Sequence, residues 1–261
     1  MFEFIRKLYL YGLFLLFIAP FVLLGLLSLS KSWNFPLIFP EQLDLGNWQQ
    51  LWNRRQGMGP SLLRSLGLSL SVAMVATALG FALSKAIAYH RYRHQFLLLA
   101  YFPYLISPVI YALMLHYYFV YFGFSGHLAG VFLAQMIIVF PFALIFFLGY
   151  WNEESRSLEQ LVSTLGGNVW QTYLKVLIPM ARGMLAVCFF QCFLISWFEF
   201  GLTNYIGVGK VKTLTILVYQ YIGEANPYYA ALSAYLLMLP PLILLWLNRR
   251  FGYRPYQSGE G

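Results

Sequence analysis

Apolar positions along the 261 residues gather in six long blocks, at residues 9–30, 62–89, 96–121, 128–150, 184–202 and 228–247. An α-helix rising ~1.5 Å per residue needs about twenty mostly apolar residues to cross the hydrocarbon core of a bilayer, and each block meets that standard. Short segments alternating with period two, the mark of a membrane β-barrel, are not part of the pattern. The expected fold class is therefore all-α and integral to a membrane, with about six transmembrane helices in a single domain spanning residues 1–261. The first block follows Arg6 and Lys7; it is too long for a signal-peptide core, lacks a small-residue cleavage site, and reads as a retained helix. The second is rich in Ser, Ala and Gly, which let helices approach closely in lipid. Pro103 and Pro108 predict a kink in the third, Pro141 lies inside the fourth, and Pro240 and Pro241 lie in the sixth.

Composition agrees: 60% of residues are hydrophobic, 20% aromatic and only 10% charged, with mean hydropathy +0.66. A soluble domain would carry about a quarter charged residues. The net charge of +8 does not signal nucleic acid, because the basic residues sit in short loops between apolar blocks and serve to orient the helices. Arg6, Lys7, Lys85, Arg91, Arg93, Arg156, Lys175, Arg182, Arg249, Arg250 and Arg254 fall on the side of the termini. Lys31, Arg54, Arg55, Arg64, Lys210 and Lys212 fall opposite. The majority predicts cytoplasmic termini. Cys188 and Cys192 lie four apart in an apolar block and read as small packing residues. In the outer loop, Trp48 and Trp52 are spaced to share the face of an interfacial helix. The inner loop from His90 to His94 has two histidines at metal-ligand spacing but no carboxylate or cysteine beside them, so it reads as a solvated basic loop, and no metal site is assigned.

The connection at 151–182 carries the most information. Leu158, Leu161, Val162 and Leu165 fall at i, i+3, i+4 and i+7 and predict a short helix with one apolar stripe. Ser155 or Ser157 is the expected N-terminal cap, and Gly166-Gly167 the expected end. Such a stripe requires burial against the bundle, the bilayer surface or a partner's groove, and periodicity does not choose among these.

The run from Leu158 to Gly166, followed by Val176-Leu177-Ile178-Pro179, resembles the EAA loop of permeases in binding-protein-dependent ATP-binding cassette importers. That motif has Glu-Ala-Ala, a glycine three residues on, and an apolar-x-apolar-Pro ending. Gly166 and Pro179 stand at the family separation; Gln160, Leu161 and Val162 replace Glu-Ala-Ala, with Glu159 just before them. Asn47-Trp48, Phe102-Pro103 with Ser107-Pro108, Ser196-Trp197-Phe198-Glu199-Phe200 and Thr213-Leu214 are similar to the same family, within its polyamine, ferric iron, thiamine and phosphonate group. The resemblance implies a type I importer fold in a bacterial inner membrane, with residues 151–182 as a cytoplasmic coupling loop. It implies a complex with a second permease (a sister chain more than an identical one), two ATPase subunits and an external solute-binding protein. Glu159, Gln160, Leu161, Val162, Leu165, Gly166 and Pro179 are then the ATPase-coupling residues.

The chain has no GxxxxGK[ST] loop with an acidic Mg-binding partner, so it is expected to be no enzyme and to bind no cofactor, ATP and Mg belonging to partner subunits. For the solute pathway, Glu199 is the one acid in an expected span. An ionisable group there costs roughly 3 kcal/mol unless paired or hydrated, which points it at the bundle interior or a watery cavity, as solute ligand or as structural or gating group. Gln135, Gln191 and Tyr104 are further pathway candidates, with His116, Asn204 and Tyr111 beside them; interhelical hydrogen bonds and packing are the alternative uses. A gradient-driven secondary transporter, the alternative reading, would show paired acids or inverted repeats. A membrane enzyme would show clustered nucleophile, base or metal ligands.

Overall fold

The computed structural model describes residues 2–33, 37, 39–52 and 57–252. Arg54, Arg55 and Arg254, counted above among the loop charges, lie outside the described residues. In chain order the elements are α1 (Phe2–Ser28), strands β1 (Ser30–Ser32) and β2 (Gln42–Leu43), α2 (Gly46–Gln49) and α3 (Met58–Ala88). Then come α4 (Arg93–Tyr101), α5 (Pro108–Tyr121), α6 (Leu128–Leu148) and α7 (Glu153–Thr164). The last are α8 (Val169–Gln171), α9 (Ile178–Trp197), α10 (Gly201–Gly207), α11 (Leu214–Gly223) and α12 (Pro227–Gly252).

Among the described residues, five helical runs are long and apolar enough to cross a membrane: Arg6–Ser28, Met58–Ala88, Leu128–Leu148, Val169–Trp197 and Pro227–Leu247. A sixth crossing is made only if Arg93–Tyr104 and Val109–Tyr121, which meet at a bend of 97°, act as one. The bend is far sharper than the kink expected in the third block. Proline 108 disfavours helical geometry in the residue before it, and Ser107 is extended at φ −55°, ψ 133°. The fifth span also differs from expectation. It begins at Val169 rather than residue 184, because Pro179 does not stop it: a π-helical stretch at Thr172–Leu177 widens the turn just before the residue that has no N–H to donate. It ends at Trp197 rather than 202.

Contacts divide the chain into two compact units, Met1–Ser65 with Lys212–Pro240 and Leu66–Val211 with Pro241–Gly261. In the first, β1 and β2 pair antiparallel, and Asn47 Nδ2 donates to Ser28 O and Ser30 O at 3.4 and 3.1 Å. Trp48 does not share an exposed face with Trp52. It turns inward, its ring edge-on to Tyr235 at 6.0 Å, whereas Trp52 is exposed. The N-terminus of α11 is held by Thr213 Oγ1, which accepts from Ile216 N, and by Ser65 Oγ, which accepts from Leu214 N at 2.7 Å. The hydrophobic window of α1 buries none of its residues, as a helix bathed in lipid requires.

In the second unit α3 approaches α6 closely at Gly80. A Cβ placed on Gly80 would stand 2.6 Å from Ala143 Cβ and 2.9 Å from its carbonyl carbon, so only glycine permits this approach. Gly80→Val is expected to destabilise the purified protein by about 1–3 kcal/mol through overpacking; an unchanged melting temperature in detergent would show that the two helices can separate freely. Phe81, Phe147, Tyr150 and Trp151 interlock below that crossing with ring centroids 4.9–5.8 Å apart. Cys188 and Cys192 are fully buried free thiols, 3.9 Å apart.

Candidate functional site

Local chemistry sets both ends of α7. Asn152, not Ser155 or Ser157, is the cap: its Oδ1 accepts from Ser155 N at 2.9 Å, while Ser155 Oγ turns back to donate to Tyr150 O and Ser157 Oγ donates to Glu153 O. At the other end Gly166 takes φ +81°; its N–H donates to Ser163 O and that of Gly167 to Val162 O, at 3.1 and 2.9 Å. This is a Schellman stop, satisfying carbonyls that the helix would otherwise leave bare. Asn168 starts α8 at once through a reciprocal capping box with Gln171. The backbone between Trp151 and Val169 is therefore held in one shape by its own side chains.

The apolar stripe of α7 is split between two surroundings. Leu158 and Val162 are half-buried, whereas Leu161 is 56% and Leu165 79% exposed. Val169, Trp170 and Leu174, just beyond, are exposed as well. Glu159 faces the other way. Its Oε2 lies 2.7 Å from Lys85 Nζ, near the end of α3, with both side chains only 22–23% exposed. Lys85 Nζ also lies 5.8 Å from the Trp151 ring centroid and 5.9 Å from that of Tyr173, aromatic faces that stabilise a cation. Glu159 Oε1 is buried with no hydrogen-bond partner, so the carboxylate depends on Lys85. Burial, and next the Glu159 charge, push the phenols of Tyr89 and Tyr150 above their ordinary value. A cavity of about 430 Å³ opens beside the ion pair, touching Arg156, Gln160 and Ser163. Pro179 lies in the first turn of α9.

Of the pathway candidates, Glu199 and Gln135 are brought together and the others are not. Glu199 lies in the break between α9 and α10, and its carboxylate accepts from Leu202 N at 2.6 Å, Thr203 N at 2.9 Å and Thr203 Oγ1 at 2.6 Å. It caps α10. Thr203 Oγ1 in turn accepts from Gln135 Nε2 at 3.0 Å, Ser196 Oγ donates to Gln135 Oε1, and Ser69 Oγ lies 3.1 Å from Ser196 Oγ. Each hydroxyl has one proton, so the chain of bonds runs in one direction, from Ser69 to the Glu199 charge. It joins α3, α6, α9 and α10 through groups no more than 3% exposed, Glu199 excepted. Gln191 is exposed, and Tyr104 donates its phenol proton to Ile138 O. Lys85 and Thr203 were not singled out from sequence; a lysine in the last turn of a span and a hydroxyl four residues after a lone acid were the available signals.

The comparisons with known proteins bear on what this arrangement serves. No protein-family model matches the chain. It is 28% identical over 213 residues to sulfate permease 2, chloroplastic, of Chlamydomonas reinhardtii, covering 72% of this chain and 57% of that protein. It is 28% identical over 149 residues to a ferric transport system permease protein of Actinobacillus pleuropneumoniae, covering 54% of this chain and 22% of the relative. It is 26% identical over 208 residues to the sulfate transport system permease protein CysW of Synechococcus elongatus, covering 70% and 73%. The chain thus spans about half, and about a fifth, of the length of the first two relatives. The crystal structure of a bacterial ABC transporter involved in the import of the acidic polysaccharide alginate aligns over 97% of this chain and 96% of that one, with TM-score 0.72 at 15% identity. The chain is similar in sequence to sulfate and ferric transport permeases. The structural likeness covers the fold of nearly the whole of both chains. Its fold is all-α and membrane-spanning, with five apolar spans among the described residues, or six where the bent pair acts as one.

Proposed function

We propose that the chain is the membrane-spanning permease subunit of an ATP-driven importer, paired with a second permease and driven by separate ATPase subunits. The observation that carries this is the exposed Leu161–Leu165 row on a helix capped at both ends, between the fourth and fifth spans of a chain with the importer-permease fold. An apolar row on a rigid, capped helix suits a groove in a partner, here the ATPase. On this reading the termini and α7 face the cytoplasm, and the solute is a small charged one, in keeping with the sulfate and ferric ions in the relatives' names. An external binding protein delivers it. The Lys85–Glu159 pair ties α7 to α3, so that force arriving at the helix reaches a span. Docking shifts the permease between states only as far as its contacts differ in energy between them.

Leu161→Glu and Gly166→Val test the reading. Position 161 is exposed, so the charge shifts the stability of the isolated chain by no more than about 0.5 kcal/mol, while it places a charge in the docking groove. A Cβ at position 166 would meet no atom within 4 Å, but valine must adopt there a left-handed backbone that β-branched residues resist, which spoils the Schellman stop. Both variants are expected to insert normally and to lose solute-stimulated ATP hydrolysis in the reconstituted complex. Wild-type stimulation in both refutes the docking role, and solute transport by the chain alone in liposomes refutes the importer.

A further inference from the structure

A second cavity of about 430 Å³ lies in the Leu66–Val211 unit, away from α7. Its walls are Leu83 and Ile87 of α3, Phe96 and Leu99 of α4, and Phe140 and Leu144 of α6, and its floor is the buried cluster of Ala100, Leu144 and Leu148. Only His90 brings a polar side chain to the lining. That histidine opens the tight turn joining α3 to α4, in which its carbonyl accepts from Arg93 N. Its ring is set between Tyr92 and Phe96, at 5.7 and 5.3 Å. Tyr92 N donates to His90 Nδ1 at 3.1 Å, which leaves the other ring nitrogen, Nε2, to carry the proton and serve as donor. Beside it Arg91, Arg93 and His94 are exposed, and none of them enters an ion pair among the described residues.

We propose that this cleft binds one acyl chain of an anionic membrane phospholipid, with its phosphate held by the His90–Arg93 turn. Apolar walls between three helices accept a hydrocarbon tail, and the turn that brings His90 to the lining also carries the exposed Arg91 and Arg93, whose charge matches a phosphate. A zwitterionic lipid offers the same tail without the net charge, so the basic turn makes the site selective. The inference is independent of the coupling role of α7.

The test uses the full chain purified from vesicles of equal parts phosphatidylglycerol and phosphatidylcholine, with retained lipid counted by native mass spectrometry. The wild type is expected to retain phosphatidylglycerol preferentially. The double variant Arg91→Ser/Arg93→Ser loses that preference by roughly fivefold per arginine, and Ala86→Trp, which fills the cleft, loses it entirely at an unchanged melting temperature. Should Ala86→Trp not fold, Leu99→Asn, which sets an amide at an exposed wall position, carries the same expectation. Equal retention of the two lipids by the wild type overturns the proposal, as does selectivity that survives either the arginine or the cleft substitution.

Discussion

Lys85→Glu is expected to abolish solute-stimulated ATP hydrolysis, and the exchange Lys85→Glu/Glu159→Lys to restore most of it. The single reversal sets two carboxylates where an ion pair of 2.7 Å now stands, with one Glu159 oxygen already lacking any partner. Breaking a fully buried pair costs about 3–5 kcal/mol; at this partial exposure about 2–4 kcal/mol is expected, enough to release the inner side of α7 from α3. The exposed Leu161–Leu165 row is untouched, so the ATPase should still co-purify and its basal hydrolysis persist. Recovery in the exchanged pair separates a charge-specific joint from general damage, since two destabilising changes without a mutual contact would add. Wild-type stimulation in Lys85→Glu would show that the joint transmits nothing.

Glu199→Ala is expected to lower the stability of the purified chain by about 3 kcal/mol, read as the melting temperature in detergent. The substitution leaves two backbone N–H groups and the Thr203 hydroxyl without their acceptor, and hydrogen bonds to a charged group are worth about 1.5–3 kcal/mol each. The loss should be the same with and without solute, because three of the carboxylate's acceptor positions are already spent on α10. Glu199→Gln, which keeps one acceptor oxygen, should fall between alanine and wild type. A melting temperature unmoved by Glu199→Ala, joined to a shifted solute dependence of transport, would make this residue a solute ligand instead of a cap.

The site was legible where its chemistry is local. Leu158, Leu161, Val162 and Leu165 announce a helix by spacing, and Gly166 announces its end because a left-handed residue is needed there; both depend on neighbours within one or two turns. The cap was misplaced by a few residues, from Asn152 to the serines, since all three residues can accept a backbone N–H and only the backbone path selects one. The direction each side of α7 faces was not legible at all. The inward turn of Glu159 depends on Lys85, and the capping role of Glu199 on a break two residues after Trp197.

By itself the sequence determined that this protein lives in a bilayer as helices, about how many there are, and where a short amphipathic helix interrupts them. Burying unpaired backbone in lipid is so costly that apolar block length nearly dictates the outcome. Only the tertiary structure decided that the third block breaks at Ser107, that the fifth span begins beyond the reach of Pro179, and which polar groups meet. Those outcomes depend on pairings between residues as distant as Ser69 and Ser196, and no local pattern encodes which of many hydroxyls and amides will face one another once the helices pack.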